Sequence, residues 1–216
     1  MENVMKSEST KQIVIAAPNF KSVEFTIEGT APFVSNNFSQ EAMDMMKGNT
    51  QKVSGAKGGK REPKNYTADY EGSKHVSVDG WLGISCSSFR QGAISACRIV
   101  GFKMTLAKLG IFIRPDGFDK ASGEPLVRIV GTPRMAEHTV RLASGVAAIK
   151  ARAMFDTWSA KIVVDYDGDM FGVQDLYNLF MRLGLQVGIG AGRPDSKTSA
   201  GMGWGTFRVV STRELA

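Results

Sequence analysis

The stretch SAKIVVDYDGDMFGVQDLYNLFMRLGLQVGIG, residues 159–190, decides the fold. Its first nine residues have the composition of a strand, and DGDMFG supplies a turn. VQDLYNLFMRLG (173–184) then repeats apolar residues at Leu176, Leu179, Phe180 and Leu183, the spacing of one helix face, with Gly184 as the expected stop. LQVGIG (185–190) reads as a short strand. WGTFRVV (204–210) reads as a closing strand, with Trp204, Thr206 and Arg208 alternating against Phe207 and Val209. Strand, helix, strand and strand therefore follow one another.

The same order is legible upstream. SVEFTIEG (22–29) alternates Val23, Phe25 and Ile27 against Glu24, Thr26 and Glu28, a half-buried strand. HVSVDGWLGI (75–84) suggests a short strand broken at Gly80. SSFRQGAISACRIVG predicts a helix capped by Ser87 or Ser88 and closed by Gly101, with Phe89, Ala93, Ala96, Cys97 and Val100 on one face. Strands are expected at 111–114, at 126–131 and within 138–155, separated by turn-rich PDGFDKASGEP and GTPRM. Residues 41–46 suggest a helical turn. Two such halves imply an α+β fold with a mainly antiparallel sheet and helices packed on one face.

At 216 residues, 43% hydrophobic and 22% charged, the chain is too apolar for a disordered tail and long enough for a sizeable core. Residues 1–11 read as a disordered leader and 12–216 as a single domain. No apolar run reaches the ~20 residues of a membrane-spanning helix. Cys86 and Cys97 stand about 16 Å apart if both lie on the expected helix, too far to bond. A reducing, cytoplasmic setting is the expectation, with no membrane partner.

The net charge is +6, and residues 47–64 carry +5 of it. Lys47, Lys52, Lys57, Lys60, Arg61 and Lys64 are set against Glu62 alone, among four glycines and one aliphatic side chain. The region at about 47–74 is expected to be a flexible basic insertion. It reads either as a clamp on phosphates, with Tyr66 and Tyr70 as stacking groups, or as a solvated loop without a specific contact. Arg90 and Arg98, two turns apart on the expected helix, are further phosphate candidates. So is the glycine-rich C-terminal loop, where Gly190, Gly192, Gly201 and Gly203 bracket Arg193 and Lys197 beside Trp204. Its glycines would let backbone amides approach phosphate, or would merely relieve crowding in a hairpin. Trp204 would stack a base or anchor an edge.

Neither GAKGGK (55–60) nor the C-terminal loop fits a nucleotide-binding fingerprint. Asp165, Asp167 and Asp169 fail the calcium-loop pattern, and no Cys or His spacing resembles a zinc site, so no cofactor or metal is expected. His75 and His138, the only histidines, are candidate general bases for RNA cleavage, and no catalytic residue is assigned to either.

Two segments resemble a known group. SSFRQGAISACR is similar to the helix start of the repeat-associated (RAMP) proteins, the superfamily that includes backbone and processing subunits of CRISPR effector complexes. GIGAGRPDSKTSAGMGWGTFRV is similar to their C-terminal glycine-rich loop and final strand. Gln91, Gly192 and Pro194 depart from the pattern, and the two motifs cover about a sixth of the chain. The basic insertion resembles the thumb of the backbone subunits, and the overall texture looks like phage early proteins. The resemblance implies a modified ferredoxin-like (RRM-like) fold, binding of RNA or ssDNA, and side-by-side homo-oligomers. The expected function is non-enzymatic binding of single-stranded nucleic acid. The alternatives are an oligomeric phage interaction protein that captures a host factor or nucleotide signal, and a metal-independent ribonuclease.

Overall fold

The computed structural model describes residues 15–37, 65–141, 147–196 and 201–215. The leader, the helical turn at 41–46, the cations of 47–64 and Lys197 lie outside the described residues.

Alternation in the first strand is what builds the main sheet. In β1 (Phe20–Gly29) Val23, Phe25 and Ile27 are fully buried, while Glu24 and Thr26 face the other way. β1 pairs along its length with β10 (Ser159–Asp167), from Phe20 opposite Asp167 to Glu28 opposite Ser159. β11 (Phe207–Leu215) lies on the other edge of β1; Val210 is skipped between the Thr26–Ser211 and Ile27–Val209 pairs, a bulge. The far edge of β10 is shared. Its C-terminal half pairs with β5 (Ile111–Arg114), and its first residues pair with β7 (Pro125–Val130). β7 carries the sheet on to β4 (Leu82–Ser85) and β3 (His75–Val76), with β6 (Gly117–Phe118) beside it. A smaller sheet has the order β2 (Phe33–Val34), β9 (Ala147–Phe155) and β8 (Pro133–Arg141). All these pairings are antiparallel, so the fold is α+β with a large antiparallel sheet.

Four α-helices are described: α1 (Tyr66–Gly72), α2 (Cys86–Cys97), α3 (Met104–Gly110) and α4 (Val173–Arg182). α2 and α4 cover one face of the main sheet, where Phe180 meets Phe25 at 5.0 Å between ring centroids and Phe89 meets Phe207 edge-on at 6.2 Å. α1 packs on β9 of the smaller sheet instead, and Phe33, Phe155 and Trp158 join both sheets in one continuous core. No helix among the described residues is long and apolar enough to cross a membrane.

Several sequence expectations need correction. The cap of α2 is Ser85, whose hydroxyl accepts the Ser87 amide, rather than Ser87 or Ser88. Val100 falls beyond the helix and is half exposed. Residues 185–190 are not a strand: the chain continues through a π-helical turn, Leu183–Val187, because Leu183 and Val187 keep a buried helical spacing. Gly184 does not stop the helix. It lets the backbone press on the Phe207 carbonyl and ring where no Cβ fits, and the break comes at Gly188, with φ +68°. β8 already begins at Pro133, inside the expected turn, at the strand position where a missing N–H is tolerated. β11 begins at Phe207, and Trp204 precedes it. Residues 65–74 of the presumed flexible insertion include α1, capped by the Asn65 side chain.

Replacing Phe180 by alanine removes the ring that joins α4 to β1 and is expected to cost about 3–5 kcal/mol. Phe112→Ala, at a ring 38% exposed, should cost far less; urea unfolding of both variants checks the difference.

Candidate nucleic-acid interface

β4 runs into α2 with no loop between them, and this aims one stripe of the helix at the C-terminal glycines. Ser88, Gln91, Ser95 and Arg98 form the stripe, which spans about 15 Å at 1.5 Å per residue. Opposite stand Val187–Gly190, Arg193, Asp195 and Ser196, and the two walls enclose a groove of about 520 Å³. Asp195 crosses it: its carboxylate accepts the Ser95 hydroxyl and pairs with Arg98 at 3.0 Å. The Ser95 hydrogen bond, helped by Arg98, holds that carboxyl below the usual range despite partial burial. At one end the groove meets a smaller, polar pocket through shared walls at Ser88, Gly190 and Arg193. That pocket is closed by Ser35, Asn36, His75 and Ser85.

The glycine loop has a different job from the one expected of it. Gly188, Gly190, Gly192, Gly201, Gly203 and Gly205 all have positive φ. Several of their neighbours' polar groups are turned inward: Ile189 donates to Gly205, Met202 and Trp204 donate to Gly192, Ala191 donates to Val34, and Gly205 donates to Pro32. A side chain at Gly205 would collide with the Ile189 backbone, and one at Gly190 with Phe33 and the Val34 carbonyl. These glycines fold the loop onto itself and seat it against β2. Only at Gly203 does an added Cβ meet open space among the glycines of this loop.

Other nominated residues are similarly occupied. Arg90 wraps the edge of β5, donating to the Ile111 and Lys108 carbonyls with its guanidinium over the Phe112 ring. Trp204 is held between Gly192 and His138, whose ring centroid lies 4.5 Å from its own, so it pins the loop to β8 rather than offering a free stacking face. Tyr66 opens α1 and is half-buried, and Tyr70 donates to the Pro133 carbonyl. Asp165 is tied to Arg114 and Ser22. Cys86 and Cys97 are free and buried, and burial with Asp116 and Glu124 pushes the Cys86 thiol up to about 12. Arg193 remains the most available of the nominated cations among the described residues: it donates one N–H to the Gly190 carbonyl and lines both cavities.

Sequence reading overlooked two features. The β8–β9 hairpin sets Arg134, Ala136 and His138 on one face, opposite Met154, Arg152 and Lys150. This basic face meets the glycine loop through Ala136, Met154, Ala191 and Trp204. Its signal was the period-two alternation of cations around the expected strands. The second feature is the setting of His75, with Nδ1 3.6 Å from Asp119 and 3.9 Å from Glu124. Asp119 lies more than forty residues downstream and had no local motif to announce it. A wider depression of about 980 Å³, between the end of α2 and α4, is lined by Cys97 and holds none of the residues nominated for nucleic acid.

Burial pushes both imidazoles below their ordinary 6.5; Arg152 and Arg134 add to this at His138, whereas Glu124 and Asp119 oppose it at His75. The chain matches no protein-family model and no curated protein.

A histidine pKa that is lower in the folded state means that the unfolded chain binds more protons as pH drops below 6.5. The stability held by the neutral imidazoles is complete above that value and is lost as pH falls through the folded pKa values. Thermal melting should therefore shift down between pH 7 and pH 5, and His138→Gln should flatten the dependence.

Proposed function

We propose that the chain binds single-stranded nucleic acid, RNA or DNA, along the groove between α2 and the glycine loop, as a binder rather than a nuclease. The observation that supports this reading is the groove's own lining: Arg193 at the margin of the glycine loop faces the Ser88 and Gln91 side chains of α2 across one cleft. Phosphates moving along the groove would meet Arg193 and the Ser88 and Gln91 side chains, while Asp195 holds Ser95 and Arg98. The basic segment would supply the long-range attraction. Lys150 of the hairpin adds a half-buried cation on the other side of the loop, whereas Arg152 is largely buried near Asp69.

The scaffold we infer for it is ferredoxin-like. β1, α2, β5, β10, α4 and β11 occur in the order strand, helix, strand, strand, helix, strand, and the four strands lie side by side as β11-β1-β10-β5. That order, with both helices on one face, supports the resemblance to the RAMP proteins. β7, β4 and β3 are then an extension beside the second half of β10.

Binding of mixed-sequence oligonucleotides, followed by fluorescence anisotropy, should weaken steeply with salt. Replacing the six cations of 47–64 with serine should reduce the magnitude of the log–log slope by up to about 4, at ~0.7 per phosphate contact on a single strand. Arg193→Ala should weaken binding about tenfold, the scale of one charge-assisted contact. Salt-insensitive binding, or none at low ionic strength, would overturn the reading.

A further inference from the structure

Among the described residues that line the groove between α2 and the glycine loop, Asp195 carries the only carboxylate. Both of its oxygens are engaged across the cleft: Oδ2 accepts the Ser95 hydroxyl, and Oδ1 accepts an Arg98 N–H at 3.0 Å. Arg98 closes the set by donating to the Ser95 hydroxyl oxygen at 3.3 Å. We infer that Asp195 is an internal stand-in for phosphate, which holds Ser95 and Arg98 and keeps that end of the groove shut until a phosphodiester of the strand displaces it. The strand itself is supplied by the nucleic-acid reading above, on which this proposal rests.

Three features mark a displaceable contact rather than a structural tie. The chemistry is interchangeable, because a guanidinium and a hydroxyl that engage two carboxylate oxygens offer the same donors to two phosphate oxygens. The seat is open to solvent: the Arg98 side chain is 62% exposed and that of Asp195 33%, and such a pair contributes little to stability. The loop is fixed by other means, since the Asp195 amide donates to the Val187 carbonyl and the Ser196 amide to the Pro194 carbonyl. Rotation of the Asp195 side chain therefore releases Arg98 without moving either wall.

The contact opens by competition between anions. The Ser95 hydrogen bond and Arg98 hold the Asp195 carboxyl below the usual carboxylate range against partial burial, and Arg193 adds to this, so it stays ionised at neutral pH. An intramolecular carboxylate faces Arg98 at a fixed, high effective concentration. A lone phosphate competes with it poorly. A strand already held at Arg193 presents its next phosphates at a comparable effective concentration, so the device favours polymers over small anions.

Oligonucleotide anisotropy and arginine side-chain NMR test this together. Asp195→Asn should tighten binding of mixed-sequence oligonucleotides about tenfold and steepen the log–log salt slope by ~0.7, one further phosphate contact. Asp79→Asn makes the same charge change at an exposed turn outside the groove and should leave affinity nearly unchanged. Arg98→Ala should cost little by itself but should abolish the gain from Asp195→Asn, a non-additive pair. Inorganic phosphate should move the Arg98 Nε–H resonance in Asp195→Asn and leave it in place in the unaltered chain. A gain that survives Arg98→Ala, or that Asp79→Asn matches, would make Asp195 a diffuse charge and overturn the gate, while salt-sensitive binding by the unaltered chain would keep the strand reading. Phosphate that shifts Arg98 only in Asp195→Asn, with no oligonucleotide bound by any variant, would keep the gate as an anion latch and overturn the strand reading. Should Asp195→Asn fail to fold, Asp195→Ser removes the same charge and is measured in its place.

Discussion

Strand β10 has both edges in use along almost its whole length, and the rest of the molecule is arranged around that fact. One edge is taken by β1 over nine residue pairs; the other is divided between β5 and β7. An edge divided in this way lets two sheets share a backbone ladder. The part beside β5 carries the helices that form the core, and the part beside β7 leads through β4 to the start of α2. The groove and the His75 pocket sit at the junction. A shorter β10 would have room for one neighbour and would leave β7, β4 and β3 without an anchor.

Packing then decides which polar groups are free. Six glycines with positive φ bend the C-terminal loop tightly enough that much of its backbone hydrogen bonding is internal. Its described residues form one wall of the groove. What lines the groove is then side chains at its margin, above all Arg193, and the stripe of α2 that it faces. Trp204 and His138 extend this wall to the β8–β9 hairpin, whose cations lie on the same face as the stacked rings.

Much of the secondary structure was legible because burial has a period. Val23, Phe25 and Ile27 announce β1, and Leu176, Leu179 and Phe180 announce α4, since each set must reach one apolar core. The misreadings arise where a residue has two possible uses. Gly184 looks like a helix stop, but its role is close approach to Phe207, which depends on a strand more than twenty residues away. Pro133 looks like a turn residue and opens a strand. Of the candidate site, the sequence made Arg98 and Arg193 visible by charge. It could not show that Arg90 is consumed by carbonyls of the β5 edge, because those partners are set by tertiary packing. Nor could it bring together His75, Asp119 and Glu124, which meet only after β3, β4, β6 and β7 have aligned.

Ser85 closes β4 and caps α2 at once, with its hydroxyl shared among the Ser87 amide, Glu124 and the Ser87 hydroxyl. No hinge separates sheet from helix at this point. The direction of the helix axis is therefore inherited from strand register, and the helical side of the cleft has little freedom left to surrender. A guest entering there would lose mainly its own motion. Such a surface is preorganised: it would select by how well an incoming chain conforms to it, without first having to conform itself.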